Sequence, residues 1–182
     1  MRLNRKIIFQ GSTFSPRTNL PQKFQQTNRE ETFVNSFLKA YIKTIRSSSI
    51  FIKETAMPGL GIADVLHCAG VEKNKRVITR IRGIIAFEMK IGKWKQALTQ
   101  SHKYSYFADK VVVVLPANRT HAALQNIQWF KDLKISLWSF DSNTSKITKI
   151  FDLRRNTASS IRERRRVVEK IKQITTPPAL SN

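Results

Sequence analysis

The chain is short of cysteine, of acids, of glycine and proline, and of long apolar runs, and each shortage excludes something. Cys68 is the sole cysteine among 182 residues. One thiol can build neither an intramolecular disulfide framework nor a cysteine-cluster zinc site. No apolar stretch approaches the roughly 18 to 20 residues that a bilayer-crossing helix needs. The first ten residues are basic, but their only apolar run is Ile7-Ile8-Phe9, too short for a signal-peptide core. Six glycines and six prolines are too few for a low-complexity chain. Hydrophobic residues, at 41%, are too many for a disordered polycation. What is left is a folded intracellular protein, one domain with an extra arm or tail.

The scarcity of acids is the sharpest of these. Against 12 Asp and Glu stand 33 Lys and Arg, a formal net charge of +21. Such an excess repels itself and implies a polyanionic partner. Nucleic acid is the expected one, because no helix joins a basic face to the Trp/Phe/Leu face that an acidic membrane surface would select. Charge alone does not separate a structural RNA-binding protein from an enzyme that acts on DNA.

Along the chain, residues 1–28 hold basic side chains, prolines and amides without a single acid, and read as a basic flexible arm with room for a short strand at 6–10. A capping signal at Thr27 or Asn28 precedes Glu30 and Glu31. Val34, Phe37, Leu38, Tyr41, Ile42 and Ile45 then recur at helical spacing, predicting a helix over 29–46. Strands are expected at 49–53, 62–68 and 84–91, with a turn at Pro58-Gly59-Leu60-Gly61. The segment 71–83 reads as either a strand pair or a short helix, and as a basic loop facing substrate. A helix over 93–107, a doubly buried strand at 111–115, a helix over 119–132 and strands at 135–140 and 147–151 complete an α/β domain over 29–153. Residues 154–182 are expected to form a basic amphipathic helix over 157–174 and a tail.

Chemistry enters where acids interrupt apolar strands. In Phe87-Glu88-Met89-Lys90, side chains alternate, so Glu88 and Lys90 share a face. Asp64 sits alone among apolar neighbours in Ile62-Ala63-Asp64-Val65. If these two strands pair antiparallel, Asp64 and Glu88 meet over one face and raise each other's pKa unless a cation lies between them. A hard divalent ion resolves that conflict, can polarise a phosphodiester oxygen and can activate water, with Lys90 orienting the water or stabilising developing charge. On the next helix Gln100 and Tyr104 are four residues apart, hence on one face. An amide and a phenol there can hydrogen-bond a water, a phosphate or the lysine; ordinary helix packing is the competing explanation.

Gly61-x-x-Asp64, Glu88-x-Lys90 and Gln100-x-x-x-Tyr104 in this order resemble the PD-(D/E)XK nuclease superfamily, in particular its RecB-type branch. The resemblance covers about residues 30–116. It implies a restriction-endonuclease-like αβββαβ core with a mixed central sheet flanked by helices, and a site that takes Mg2+ or Mn2+. It implies Asp64 and Glu88 as metal ligands and Lys90 as the catalytic lysine, with Gln100 and Tyr104 completing the site. Members carry a further Glu on the first helix, for which Glu30 is preferred here over Glu31. The proline that often precedes the aspartate is replaced by Ala63. The expected activity is that of a Mg2+-dependent deoxyribonuclease, an endonuclease on double-stranded or branched DNA, cytoplasmic and nucleoid-associated, working alone, as a homodimer or with a partner subunit. The alternative is a weakly catalytic or non-catalytic DNA-binding subunit of a transposition or restriction assembly.

Phosphate contacts are expected from Lys73, Lys75, Arg76, Arg80, Arg82 and Lys93 and from Arg162, Arg164, Arg165 and Arg166 on the last helix. His67, His102 and His121 are too scattered for a histidine-metal motif and read as structural or solvent-facing. Trp94, Trp129 and Trp138 read as core.

Overall fold

The computed structural model describes residues 23–57, 59–74, 77–154 and 156–175, with residues 5–9 and 23–28 described by their backbone alone. Its element order is β1 (Arg5–Phe9), α1 (Lys23–Thr44), β2 (Ser49–Met57), β3 (Gly61–Asn74), β4 (Val77–Met89), α2 (Trp94–His102), β5 (Lys110–Pro116), α3 (His121–Gln125), α4 (Ile127–Asp132), β6 (Ser136–Asp141), β7 (Lys146–Phe151) and α5 (Ile161–Thr175). Among the described residues, seven strands form one mixed sheet in sequential order. β3 pairs antiparallel with both β2 and β4; β4, β5 and β6 run parallel, and β7 returns antiparallel to β6. β1 adds a parallel edge strand beside β2.

Strand alternation divides the core into two layers. Phe51, Val65, Ile85, Phe87, Val112, Val114 and Trp138 face α1 and bury Phe33, Phe37 and Tyr41. Ile50, Ile52, Leu66, Ile84, Ala86, Val113 and Leu137 face the other side and pack against Leu98, Phe130, Val167 and Ile171. The sheet is therefore covered by helices on both faces, as the sequence pattern required. His67 lies in the α1 layer, stacked on Phe51, its ring nitrogens 3.0 Å from the Tyr41 hydroxyl and 3.0 Å from Ser49 Oγ. It is a structural residue.

Several boundaries move. α1 begins at Lys23, inside the segment expected to be a flexible arm, and β1 places part of that segment on the sheet edge. Residues 71–83 resolve to the strand-pair alternative: β3 and β4 continue to Asn74 and from Val77, making one long hairpin. The helix expected over 119–132 is broken at Asn126, whose φ of −113° and ψ of 29° lie outside the helical region. No helix among the described residues is long and apolar enough to cross a membrane.

Candidate active site

The candidate site sits at the carboxyl end of β4, where β3 and β4 part. Val65 and Phe87 are the last paired residues, so Asp64 and Glu88 fall opposite one another just beyond the ladder. Asp64 occupies the space a strand partner would fill: its Oδ2 accepts the Met89 N–H at 2.6 Å. β4 is held on its other side by β5, and the Lys90 N–H reaches the Val114 carbonyl at 3.3 Å. Ligands in open α/β sheets bind outside the carboxyl ends of parallel strands, and this is such an end.

Glu88 is 2% exposed. The Tyr104 hydroxyl lies 2.8 Å from Glu88 Oε2 and 2.6 Å from the Ile62 carbonyl oxygen. A phenol has one proton for these two acceptors. A protonated Glu88 satisfies both, donating to Tyr104 Oη while Tyr104 donates to Ile62. Gly61 lies beside this contact at a φ of +92°, which suits glycine, and a Cβ there would meet Tyr104 Cε1 at an ordinary contact distance of 3.6 Å. The Lys90 ammonium lies 3.5 Å from Glu88 Oε1 and 3.5 Å from Glu30 Oε2. Glu31, the other candidate on α1, is exposed.

Electrostatics follow from the burial. Burial pushes the Asp64 carboxyl up to about 6, against the opposing pull of Lys90 and the Met89 N–H. Burial, then the Asp64 charge, push Glu88 up to about 8. The pair thus keeps a proton near neutrality, and titrates as a pair. Burial lowers the pKa of Lys90, but Asp64, Glu88 and Glu30 outweigh it and hold the ammonium above its ordinary value. Burial and the Glu88 charge hold the Tyr104 phenol well above its usual range. Cys68, wholly buried in the core, is pushed up to about 12 and is an inert thiol.

Asp64, Glu88, Lys90, Tyr104 and Glu30 are therefore brought together. Gln100 lies one turn before Tyr104, and its Oε1 is buried without a hydrogen-bond partner. Three carboxylates against one ammonium leave two net negative charges when all are ionised, and the donors are hard oxygens; both properties suit a divalent ion such as magnesium or manganese. Among the described residues no three His, Cys, Asp or Glu side chains already converge as a metal-ligand group. A cavity of about 600 Å³ lies elsewhere, at the start of β5 beside Asp109, Lys134 and Arg154. The candidate site is thus marked by its convergent charges and not by a deep pocket.

The expected phosphate contacts scatter. Lys93 is exposed at the start of α2, three residues past Lys90. Lys73 and Arg80 lie toward the far end of the β3–β4 hairpin, eight to nine residues along the ladder from Asp64 and so on the order of 30 Å away, and Arg82 lies six residues along it, about 20 Å away. They do not line the site, although they flank it in sequence. Arg82 is bound to Glu72 at 2.6 Å. Lys75 and Arg76 lie outside the described residues. On α5, Arg162, Arg165 and Arg166 are exposed, with Arg166 3.6 Å from Glu163. Arg164 turns inward: its Nε and Nη2 each donate to Asp109 at 3.0 Å, and Asp109 Oδ2 also accepts the Ile84 N–H. This guanidinium ties α5 to the sheet.

Sequence reasoning missed Arg119 and misplaced Trp129. Arg119 Nη1 stands 3.8 Å from where a Cβ on Gly92 would be, beside the segment that leaves Lys90. Its signal was its place just past the buried strand β5, parallel to β4. Trp129, expected in the core, is 49% exposed. No protein-family model matches the chain, and no curated protein or solved structure matches it either.

Proposed function

We propose that this protein is a metal-dependent DNA endonuclease of the PD-(D/E)XK type, hydrolysing phosphodiester bonds. The observation that carries the reading is the meeting of Asp64 and Glu88 across the opened end of β3 and β4, with Lys90 against Glu88. The order α1-β2-β3-β4-α2-β5 supports it, being the αβββαβ order of a restriction-endonuclease-like core.

Asp64 and Glu88, with Glu30, would hold magnesium or manganese, which supplies Lewis acidity toward the phosphate and a water of lowered pKa when bound. The chain's own residues do the rest. The Met89 N–H holds the Asp64 carboxyl group, and Tyr104 holds that of Glu88, in position before substrate arrives. Lys90 places a permanent positive charge beside the acids, where charge develops on the phosphate oxygens. Glu30 shares that ammonium from α1 and holds it at the mouth. The +21 charge keeps the polyanion near a site that is locally acidic.

The test is cleavage of linear, supercoiled, single-stranded and branched DNA with magnesium and with EDTA. Wild type should cut only with the metal; Asp64→Ala and Lys90→Ala should bind without cutting. Equal cutting by both variants would overturn the site. Tight binding with no cutting by wild type would establish the alternative, a DNA-binding subunit on a nuclease scaffold.

A further inference from the structure

Immediately past Lys90 the surface changes character. Neither 91–103 nor 117–131 contains an acid. Lys93, Lys95 and Arg119 are exposed there. Between them lie two indoles: Trp94 and Trp129 meet edge to face with ring centroids 5.7 Å apart. Trp94 in turn stacks at 6.0 Å on Phe130, which is fully buried. The order from core to solvent is therefore Phe130, Trp94, Trp129, an aromatic ladder anchored at its inner end. The Lys95 ammonium hovers 5.7 Å and 5.5 Å from the two indole centroids.

A half-exposed indole anchored on a second indole, with an ammonium 5.5 Å from its centroid, is poorly explained by packing, since burying it would be more favourable. A basic ring alone would hold phosphates of any nucleic acid. An aromatic face adds something that paired bases do not use, because a base inside a continuous duplex already has its faces stacked on its neighbours. The place also fits. Trp94 is four residues from Lys90, at most about 14 Å along the chain, which is a few stacked nucleotide steps of about 3.4 Å.

We propose that Trp129, backed by Trp94 and flanked by Lys95, with Lys93 and Arg119 on the same acid-free segments, is a stacking platform for an unpaired base of the strand engaged at the Asp64–Glu88–Lys90 site. This deepens the nuclease reading and rests on it. The preferred substrate is then DNA with a single-stranded segment beside the cleavage point, such as a tail, a flap or an opened strand. The cations take the flanking phosphates, and Lys95 leaves the indoles for a phosphate when the base arrives.

The experiment is binding of the full chain in EDTA, followed by anisotropy, to a single-stranded oligonucleotide, a blunt duplex and the same duplex with a single-stranded tail. Trp129→Ala should weaken binding to the single strand and the tailed duplex by at least about fivefold and leave the blunt duplex unchanged. Trp129→Phe should retain most of the affinity. An oligonucleotide made abasic throughout, with the same phosphates, should bind wild type as weakly as the normal one binds Trp129→Ala. This arm does not depend on how the variant folds. Equal binding of abasic and normal strands by wild type, or equal losses on blunt duplex and single strand, would overturn the platform. A protein docking here instead would show as no loss on any DNA. Because no cleavage occurs in EDTA, these outcomes are independent of whether magnesium supports cutting.

Discussion

The β3–β4 hairpin carries opposite chemistry at its two ends. Where β3 begins and β4 finishes, Asp64 and the buried Glu88 are drawn together, burial raises the pKa of both, and the Lys90 ammonium lies against Glu88. On the order of 30 Å away, Lys73 and Arg80 stand exposed in water with little to constrain them. The first end concentrates unfavourable electrostatics that nothing in folding requires. The second disperses positive charge that costs the fold little. Strain of the first kind is characteristic of a site that does chemistry, and charge of the second kind of a surface that holds a polyanion. On the proposed nuclease reading, binding and cutting are separated along one hairpin, and mutations at the two ends should separate them too.

The largest effect belongs to the acidic end. Asp64→Ala or Lys90→Ala should lower the cleavage rate by about a hundred- to a thousandfold with DNA affinity kept, measured as single-turnover cleavage against binding in EDTA. Next comes an arginine that belongs to neither end. Arg164→Ala should cost about 2 kcal/mol in urea unfolding, because Asp109 is left without its two guanidinium hydrogen bonds in a largely buried place. Its salt dependence of DNA binding should stay that of wild type. If the variant is as stable as wild type but binds DNA more weakly, Arg164 is a phosphate contact and not a strut.

A smaller effect reads the proton held by the acids. Both carboxyls have raised folded-state values, so between about pH 4 and 8 the native state binds more protons than the unfolded chain. That contribution to stability is complete at low pH and is lost as pH rises through about 8. Thermal midpoints of the metal-free protein should fall over this window, and Glu88→Gln should flatten the fall. On the proposed reading magnesium would compete with the same proton, so it should raise the midpoint more at pH 8 than at pH 5. Superimposable pH profiles for wild type and Glu88→Gln would show that Glu88 titrates as an ordinary carboxylate.

The acidic end was legible because its rules are local. Strand alternation and antiparallel pairing suffice to bring Asp64 and Glu88 face to face, and a four-residue spacing places Tyr104 about one turn after Gln100, in the 3-10 turn (Lys103–Tyr106) that follows α2. The α/β class was legible for the same reason, from the change between two-residue and helical periods. The basic end was not. Gly70 at a φ of +62° and the irregular register between Glu72 and Lys73 break the alternation that would have marked 71–83 as strand. Arg164 looked like one cation among many because its partner, Asp109, is 55 residues away in sequence. Trp129 looked like core because a tryptophan's exposure depends on how short helices stack, and the break at Asn126 turns α4 away from the line of a single helix. What failed were long-range placements, not residue chemistry.

The smallest predicted effect sharpens the distance between the two ends. Lys73→Ala and Arg80→Ala should leave thermal stability within about 0.5 kcal/mol of wild type, since both side chains are exposed. Cleavage at saturating DNA should not change, because neither side chain reaches the acids. Each should lower the slope of log affinity against log salt by about one for every phosphate that is no longer neutralised. The separation along the hairpin corresponds to roughly nine base pairs of duplex at about 3.4 Å per step. A duplex arm shorter than that on the hairpin side should bind wild type and both variants alike, whereas a longer arm should separate them. If the variants bind short and long arms with the same deficit, DNA does not run along the hairpin, and its far end holds something else.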